Sequence, residues 1–282
     1  MLLVLVGCGG EKKQEKTAAL ETNALEGTWQ LVKYINHAEG ESDWSAYSED
    51  IIYQKHITPT HFTWIKYEKS KDNLDGIGGG TYNFDGTTYT EDIQFFLPPG
   101  SSELGQAIPF EVKFEDGKWY HLGYAKVFEF DPESGDMVVT DSMRIEEIWE
   151  KVDNGVAEES IMGTWNLKSY REAEDSTRSE YPSFVRYIKS ITPSHFIWVK
   201  YNGEGDEVMA AGSGKYSYDA GNYVEHIEMI YPPGANQVGT SAKFTASMDN
   251  GEWAHKGHVF KTEKENPSVV VDSILIDEVW NK

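Results

Sequence analysis

Residues 57–62, Ile57-Thr58-Pro59-Thr60-His61-Phe62, return as residues 191–196, Ile191-Thr192-Pro193-Ser194-His195-Phe196. The offset between the two copies is 191 − 57 = 134 residues. The same offset aligns further aromatic and charged pairs, which are Trp64/Trp198, Lys66/Lys200, Tyr67/Tyr201, Tyr89/Tyr223, Glu91/Glu225 and His121/His255. Because this repeat is far longer than a solenoid unit, we expect each copy to be a whole domain.

The ends of the repeat fix the predicted domain boundaries. Gly27-Thr28-Trp29 matches Gly163-Thr164-Trp165 near the start of each copy, and Glu147-Ile148-Trp149 matches Glu278-Val279-Trp280 near its end. We therefore predict one domain at residues 25–152 and a second at residues 161–282. A short acidic linker, residues 153–160, would join them.

Within each domain, apolar and polar residues alternate with period two, which is typical of β-strands. Asp85-Gly86 and Asp116-Gly117 are hairpin-turn sequences, and one helix is predicted near Trp44–Ile52. About eight strands per domain are expected; those of the first domain cover residues 27–35, 53–58, 61–68, 78–84, 87–96, 107–115, 118–129 and 137–149. Because sequential hairpins of this number close without leaving free edges, the sequence predicts an all-β protein of two tandem up-and-down β-barrels.

We call Gly27-Thr28-Trp29 and Gly163-Thr164-Trp165, which open the two domains, the tryptophan motif. This motif resembles the Gly-x-Trp signature of lipocalin and calycin barrels. The rest of each domain resembles a lipocalin-like domain of unknown function found in exported bacterial lipoproteins. The residues that carry this resemblance are Ile57-Thr58-Pro59, His61-Phe62, Gly79-Gly80-Thr81-Tyr82, Tyr89-Thr90-Glu91 and Glu147-Ile148-Trp149. In lipocalins an arginine of the final segment packs on the first-strand tryptophan. The resemblance implies that Arg144 contacts Trp29, although Leu275 stands at the aligned position of the second domain.

The N-terminus resembles the signal of a bacterial lipoprotein. Leu5-Val6-Gly7-Cys8 is similar to a lipobox, in which the cysteine receives a diacylglycerol and the chain is cut just before it. The sequence thus predicts a signal peptide at residues 1–7, shorter than usual and without a basic residue. It also predicts lipidation of Cys8, the only cysteine, and a polar tether at residues 8–24. We expect a lipoprotein of the outer membrane of a Gram-negative cell envelope.

The charge of the chain limits its partners. The formal net charge is −22, and such a field repels phosphate backbones, so we expect no nucleic-acid partner. The expected partners are the membrane, through the lipid on Cys8, a small apolar ligand, and an envelope protein.

Residues 89–95 place the candidate site inside the barrels. Tyr89, Glu91 and Phe95 share one strand face, which we expect to point inward. A buried carboxylate needs a partner, and we expect Lys66 or His61 for Glu91, with Lys200 or His195 in the second domain. The candidate ligand-binding residues are Tyr67, Tyr89, Glu91, Phe95, His121, Tyr201, Tyr223, Glu225 and His255.

Several functions fit this set. The preferred one is non-enzymatic binding of a small, partly apolar molecule in one or both barrels. The alternatives are a purely structural polar network, a protein-interaction scaffold using barrel-end loops, and an acid–base enzyme of the isomerase or decarboxylase type. The spacing contains no metal-ligand motif such as His-Glu-x-x-His, so no metal, cofactor or catalytic residue is predicted.

Overall fold

The computed structural model describes residues 24–152, 161–173, 175–205, 207–233, 237–263, 266 and 269–282. These residues form two closed antiparallel barrels of eight strands each, with the strands hydrogen-bonded in chain order, which confirms the predicted fold class. The first barrel contains β1 (Gly27–Ile35), β2 (Ile51–Ile57), β3 (His61–Glu68), β4 (Asn73–Phe84), β5 (Thr88–Leu97), β6 (Ala107–Glu115), β7 (Lys118–Phe130) and β8 (Met137–Lys151). Cys8, the predicted signal and most of the tether lie outside the described residues, as does the predicted linker.

The second barrel repeats this order. It contains β9 (Gly163–Tyr170), β10 (Val185–Ile191), β11 (His195–Asn202), β12 (Val208–Asp219), β13 (Asn222–Tyr231), β14 (Ser241–Asp249), β15 (Glu252–Thr262) and β16 (Val270–Asn281). Each barrel closes by pairing its first strand with its last, so that Leu31 lies opposite Trp149 and Leu167 opposite Trp280. Closure removes the free strand edges that favour aggregation.

The helix predicted near Trp44–Ile52 is wrong. Ser45 instead forms an isolated β-bridge with Tyr34, and strand β2 already begins at Ile51. Between them, the Tyr47 ring stacks on the Tyr34 ring with 4.4 Å between centroids. Helix propensity is a weak preference, and here the contacts of Tyr47 at the barrel opening outweigh it.

One end of each barrel is closed by an apolar residue that precedes the tryptophan motif. Leu25 and Ile161 are fully buried. Their carbonyl oxygens each accept a hydrogen bond from the indole nitrogen of the first-strand tryptophan, Trp29 or Trp165, at 2.8 Å. The motif therefore fixes the chain segment that enters each barrel against the core.

The expected contact of Arg144 with Trp29 is wrong. The cation beside Trp29 is Lys151, whose Nζ lies 5.5 Å from the ring centroid. Lys282 holds the same place in the second barrel, 4.7 Å from the ring of its first-strand tryptophan. The reason is register, because Lys151 pairs directly with Trp29 across the barrel seam, whereas Arg144 lies seven residues earlier on β8.

A β-bulge at Gln94 changes the direction of the side chains that follow it. The register of β5 against β4 shifts at this point, as expected where an extra residue is inserted. Phe96 consequently packs in the interior of the first barrel, and Phe95 leaves it. The same shift occurs in β13, where it turns Met229 outward.

The outward residues meet between the two barrels in a shared apolar cluster. The Phe95 and Tyr201 rings lie 4.7 Å apart in this cluster. Its members are Ile65, Tyr67, Leu74, Ile77, Phe95, Ile188, Ile197, Val199, Tyr201, Val208, Ala211 and Met229. Two hydroxyl pairs flank it reciprocally, Thr28 with Thr192 and Thr58 with Thr164, each at 2.7 Å. Because equivalent residues contact each other in both directions, the interface has the self-complementary pattern of a two-fold dimer.

Candidate functional site

A cavity of about 330 Å³ occupies the open end of the first barrel. Its size falls within the usual range of small-molecule sites. It is lined by Leu31, Tyr34, Ile35, Asn36, His37, Ala38, Tyr47, Tyr53, Lys55, Trp64, Glu91, Phe96, Glu103, Phe110, His121, Met143, Arg144, Ile145, Glu146, Glu147 and Trp149. The cavity is therefore aromatic along its walls and charged at its floor and rim.

The aromatic wall is a continuous series of ring contacts. Tyr53 is its centre, with ring centroids 5.8 Å from Tyr47, 5.8 Å from Trp64 and 5.6 Å from Trp149. The glycines of β4 make room for it, because a Cβ at Gly78 would lie 2.7 Å from the Trp64 indole nitrogen. The burial of Tyr53 holds its hydroxyl pKa well above the usual value, so this group is a hydrogen-bond donor at neutral pH.

The floor of the cavity contains a buried ion pair. Lys55 Nζ donates to Glu91 Oε1 at 2.6 Å, and both side chains are almost fully buried. The ammonium also lies 5.0 Å from the Trp149 ring centroid. The expected partners Lys66 and His61 are wrong. Alternation turns His61 to the outward face of β3. Lys66 shares the inward face with Trp64 but lies further along the strand, where it pairs with Asp75 at 3.8 Å.

Beside this pair, His121 and Trp149 share one carboxylate. Glu147 Oε2 accepts from the Trp149 indole at 3.0 Å and lies 3.0 Å from His121 Nδ1. Burial, followed by the charge of Lys55, holds the pKa of His121 well below its usual value, so the imidazole is neutral. With Nδ1–H directed at the carboxylate, the lone pair of Nε2 is available, and this buried atom has no hydrogen-bond partner among the described residues.

Glu103 is a third carboxylate at the cavity. Burial, together with the negative charges of Glu91 and Glu147, raises its pKa from 4.5 to about 7, although Lys55 partly offsets this. The loop after β5 brings Glu103 to the cavity through backbone hydrogen bonds, in which Gly105 N donates to Ile93 O at 2.9 Å. Sequence reasoning missed this residue.

The second barrel keeps the floor of the site but holds its first loop in a different way. Lys189 binds Glu225 at 2.8 Å, and His255 lies 2.9 Å from Glu278. On the outward face of β16, opposite to Glu278, the carboxylate of Asp277 is covered by the first loop and accepts hydrogen bonds from Arg171 at 2.6 Å and from Arg178. This arginine lock, Arg171, Arg178 and Asp277, ties the first loop to β16. The pocket found in the described part of this barrel, of about 380 Å³, does not include Glu225 or His255; it is lined by Ser247, Asp249, Asn250, Glu252, Ala254 and Val279.

The predicted site residues separate into two groups. Glu91 and His121 line the first cavity, Tyr89 lies beneath it in the core, and Tyr223, Glu225 and His255 hold the matching places in the second barrel. Tyr67, Phe95 and Tyr201 lie between the barrels and not in this cavity, because Phe95 follows the bulge and the two tyrosines lie on the outward faces of β3 and β11.

The lysines of the ion pairs were also missed, although the sequence contains a signal for them. Tyr53-Gln54-Lys55 returns as Tyr187-Ile188-Lys189 at the offset of 134 residues. This repeated Tyr-x-Lys places an aromatic residue and a cation on the same inward face of β2 and β10.

Among the residues that the structure describes, no group of three His, Cys, Asp or Glu side chains is arranged to hold a metal ion. In the same residues we find no helix able to cross a membrane.

Comparisons with known proteins identify no family for this chain. No protein-family model matches the chain, and no curated protein matches it. Among solved structures, the chain is similar to a mutant of the vaccine antigen Transferrin Binding Protein B from Haemophilus parasuis. The two share 7% sequence identity with a TM-score of 0.24, and the match covers 91% of this chain and 76% of the other.

Proposed function

We propose that this chain is an exported lipocalin-like lipoprotein whose first barrel binds one small, partly apolar molecule. The observation that carries the proposal is the cavity of about 330 Å³, with an aromatic wall and converging polar groups at its floor. Binding sites for small molecules combine these features. The chemistry of the floor supports binding more than proton transfer, because Glu91 is held by Lys55 at 2.6 Å.

The second barrel is, in this proposal, a structural partner. The arginine lock holds its first loop against β16. The first barrel has Ile35 and Trp44 in place of Arg171 and Arg178, and its first loop is joined to β8 by a single ion pair among the described residues, that of His37 with Glu146 at 3.1 Å. The apolar cluster then joins the locked barrel to the binding barrel. One molecule per chain is the expected stoichiometry.

The neutral fluorescent probe N-phenyl-1-naphthylamine tests this proposal. Its fluorescence should rise on addition of the chain and saturate at one probe per chain. Met143→Trp should weaken binding at least tenfold, because Met143 lines the cavity and the larger side chain fills it. The matched control is Ile274→Trp on β16, at the position equivalent to Met143, which should leave the affinity unchanged. Equal effects of the two variants, or no saturable binding, would refute the proposal.

The envelope location rests on the lipobox-like residues before Cys8. We expect the protein purified from its own host to lack residues 1–7 and to carry a diacylglycerol on Cys8. Intact-protein mass spectrometry should show this added mass, and Cys8→Ser should abolish it and release the chain from the membrane fraction. A wild-type protein of unmodified mass would contradict this part of the proposal.

A protein-interaction role is the second candidate, favoured by the two long hairpins. The hairpins β7–β8 and β15–β16 expose apolar side chains near their tips, among them Phe130, Met137, Val139, Phe260 and Val270. Exposed apolar groups of this kind are found at protein contacts. If the probe fails to bind, this role becomes the better explanation of the fold.

A further inference from the structure

The charges of the first cavity do not balance. Lys55 is paired with Glu91, and Arg144 with Glu146 at 2.9 Å. Lys55 and Arg144 are the lysine and arginine that line the cavity, so both are already paired. The imidazole of His37 at the rim also contacts Glu146, at 3.1 Å. Two further carboxyl groups, Glu103 and Glu147, remain without a lysine or arginine partner in the described residues. The cavity therefore carries more acid than base.

Glu103 is where the missing positive charge is needed most. Burial is the largest cause of its raised pKa. The negative charges of nearby Glu91 and Glu147 raise the pKa further, to about 7. Burying several carboxylates together is unfavourable unless a proton or a cation neutralises one of them. The second barrel has no carboxylate at the equivalent position, which is occupied by the neutral residue Gln237.

Two other features of the cavity suit a cation that donates hydrogen bonds. The Nε2 atom of neutral His121 is a buried acceptor without a partner in the described chain. The ring faces of the aromatic wall provide the quadrupole that attracts ammonium groups. The cavity floor already accommodates one such group, since Lys55 Nζ lies within 6.0 Å of five ring centroids.

From these observations we infer that the ligand of the first barrel is a compact organic ammonium compound, whose cation pairs with Glu103 and whose apolar part lies on the aromatic wall. This inference rests on the proposed binding function and names its ligand class. Glu103 is then the residue that determines specificity, because its charge selects an amine over a neutral molecule of equal shape. The net charge of −22 would attract such cations from solution.

Three indoles of matched shape test the inference by isothermal titration at pH 7.5. Tryptamine is the cation, tryptophol the neutral analogue and indole-3-propionate the anion. Tryptamine should bind at least tenfold more tightly than tryptophol, since a charge-assisted hydrogen bond replaces a neutral one, and the anion should bind most weakly. Tryptamine affinity should also rise by up to about tenfold from pH 6 to pH 8, as Glu103 with its pKa of about 7 ionises.

The variant Glu103→Gln identifies the responsible group. It should abolish both the preference for tryptamine and its pH dependence, while an unchanged far-ultraviolet circular dichroism spectrum reports an intact fold. Gln237→Glu in the second barrel is the matched control and should alter none of the affinities. If tryptamine has no advantage while N-phenyl-1-naphthylamine still binds, the inference is overturned and the proposed function stands. If that probe also fails to bind, the proposed function itself is refuted. A preference that survives in Glu103→Gln would overturn the role of Glu103.

Discussion

Replacing Lys55 by methionine should destabilise the first barrel by about 3–5 kcal/mol, since a buried carboxylate that loses its only cationic partner is left uncompensated. Lys55 and Glu91 are both almost completely buried and lie 2.6 Å apart. Hydrogen-exchange mass spectrometry measures this loss of stability, because it reports the free energy of opening of each barrel separately.

Two further variants make this result specific. The double variant Lys55→Met/Glu91→Leu should recover most of the lost stability, because replacing a whole buried pair with apolar residues is often neutral. Lys66→Met is the control, since the partly exposed pair of Lys66 with Asp75 at 3.8 Å should contribute less than about 1 kcal/mol. If Lys55→Met lowers the free energy of unfolding by less than about 1 kcal/mol, the ion pair of Lys55 with Glu91 is not shielded from water.

Gly80→Ala should destabilise the first barrel by about 3 kcal/mol, the upper part of the range for overpacked positions. A Cβ at Gly80 would lie 2.0 Å from the backbone oxygen of Asp92, and a backbone atom cannot move aside as a side chain can. Gly214 has the same contact with His226 in the second barrel, so the constraint belongs to the repeated bulge. The expected readout is a lower thermal midpoint, together with faster hydrogen exchange in β4 and β5.

Gly76→Ala is the control on the same strand. A Cβ there would lie 3.1 Å from the Trp64 ring and 3.3 Å from the backbone oxygen of Leu97. Because both contacts are much longer than the 2.0 Å contact at Gly80, we expect a cost of about 1 kcal/mol or less. If the two alanine variants are equally stable, close backbone approach at the bulge is not what requires glycine at position 80.

The architecture could be predicted from the sequence because the duplication and the period-two alternation are local patterns. The offset of 134 residues gave two equal domains, and the alternation in β5 pointed Tyr89 and Glu91 inward, where the structure places them. The same alternation failed at Phe95. A bulge adds one residue and moves every side chain beyond it to the other face of the strand. The sequence around Gln94 contains no pattern that predicts a bulge.

The details of the site depend on contacts between distant segments, which period and spacing do not contain. Lys55 meets Glu91 because β2 and β5 face each other across the barrel interior. Glu103 reaches the cavity on a loop whose path is set by backbone hydrogen bonds to Ile93. The differences between the barrels, such as Glu103 against Gln237, are visible in the aligned repeats. The functional significance of Glu103 becomes visible only in the structure, where this residue lines the cavity.

The proposed function depends most on one asymmetry, an open binding cavity in the first barrel beside a second barrel held by the arginine lock. A crystal structure of the chain soaked with N-phenyl-1-naphthylamine tests it most directly. We predict density for one probe molecule in the first barrel, against Tyr53 and Trp64, with the arginine lock of the second barrel unchanged. Density in the second barrel or only between the barrels, with the first cavity empty, would contradict it.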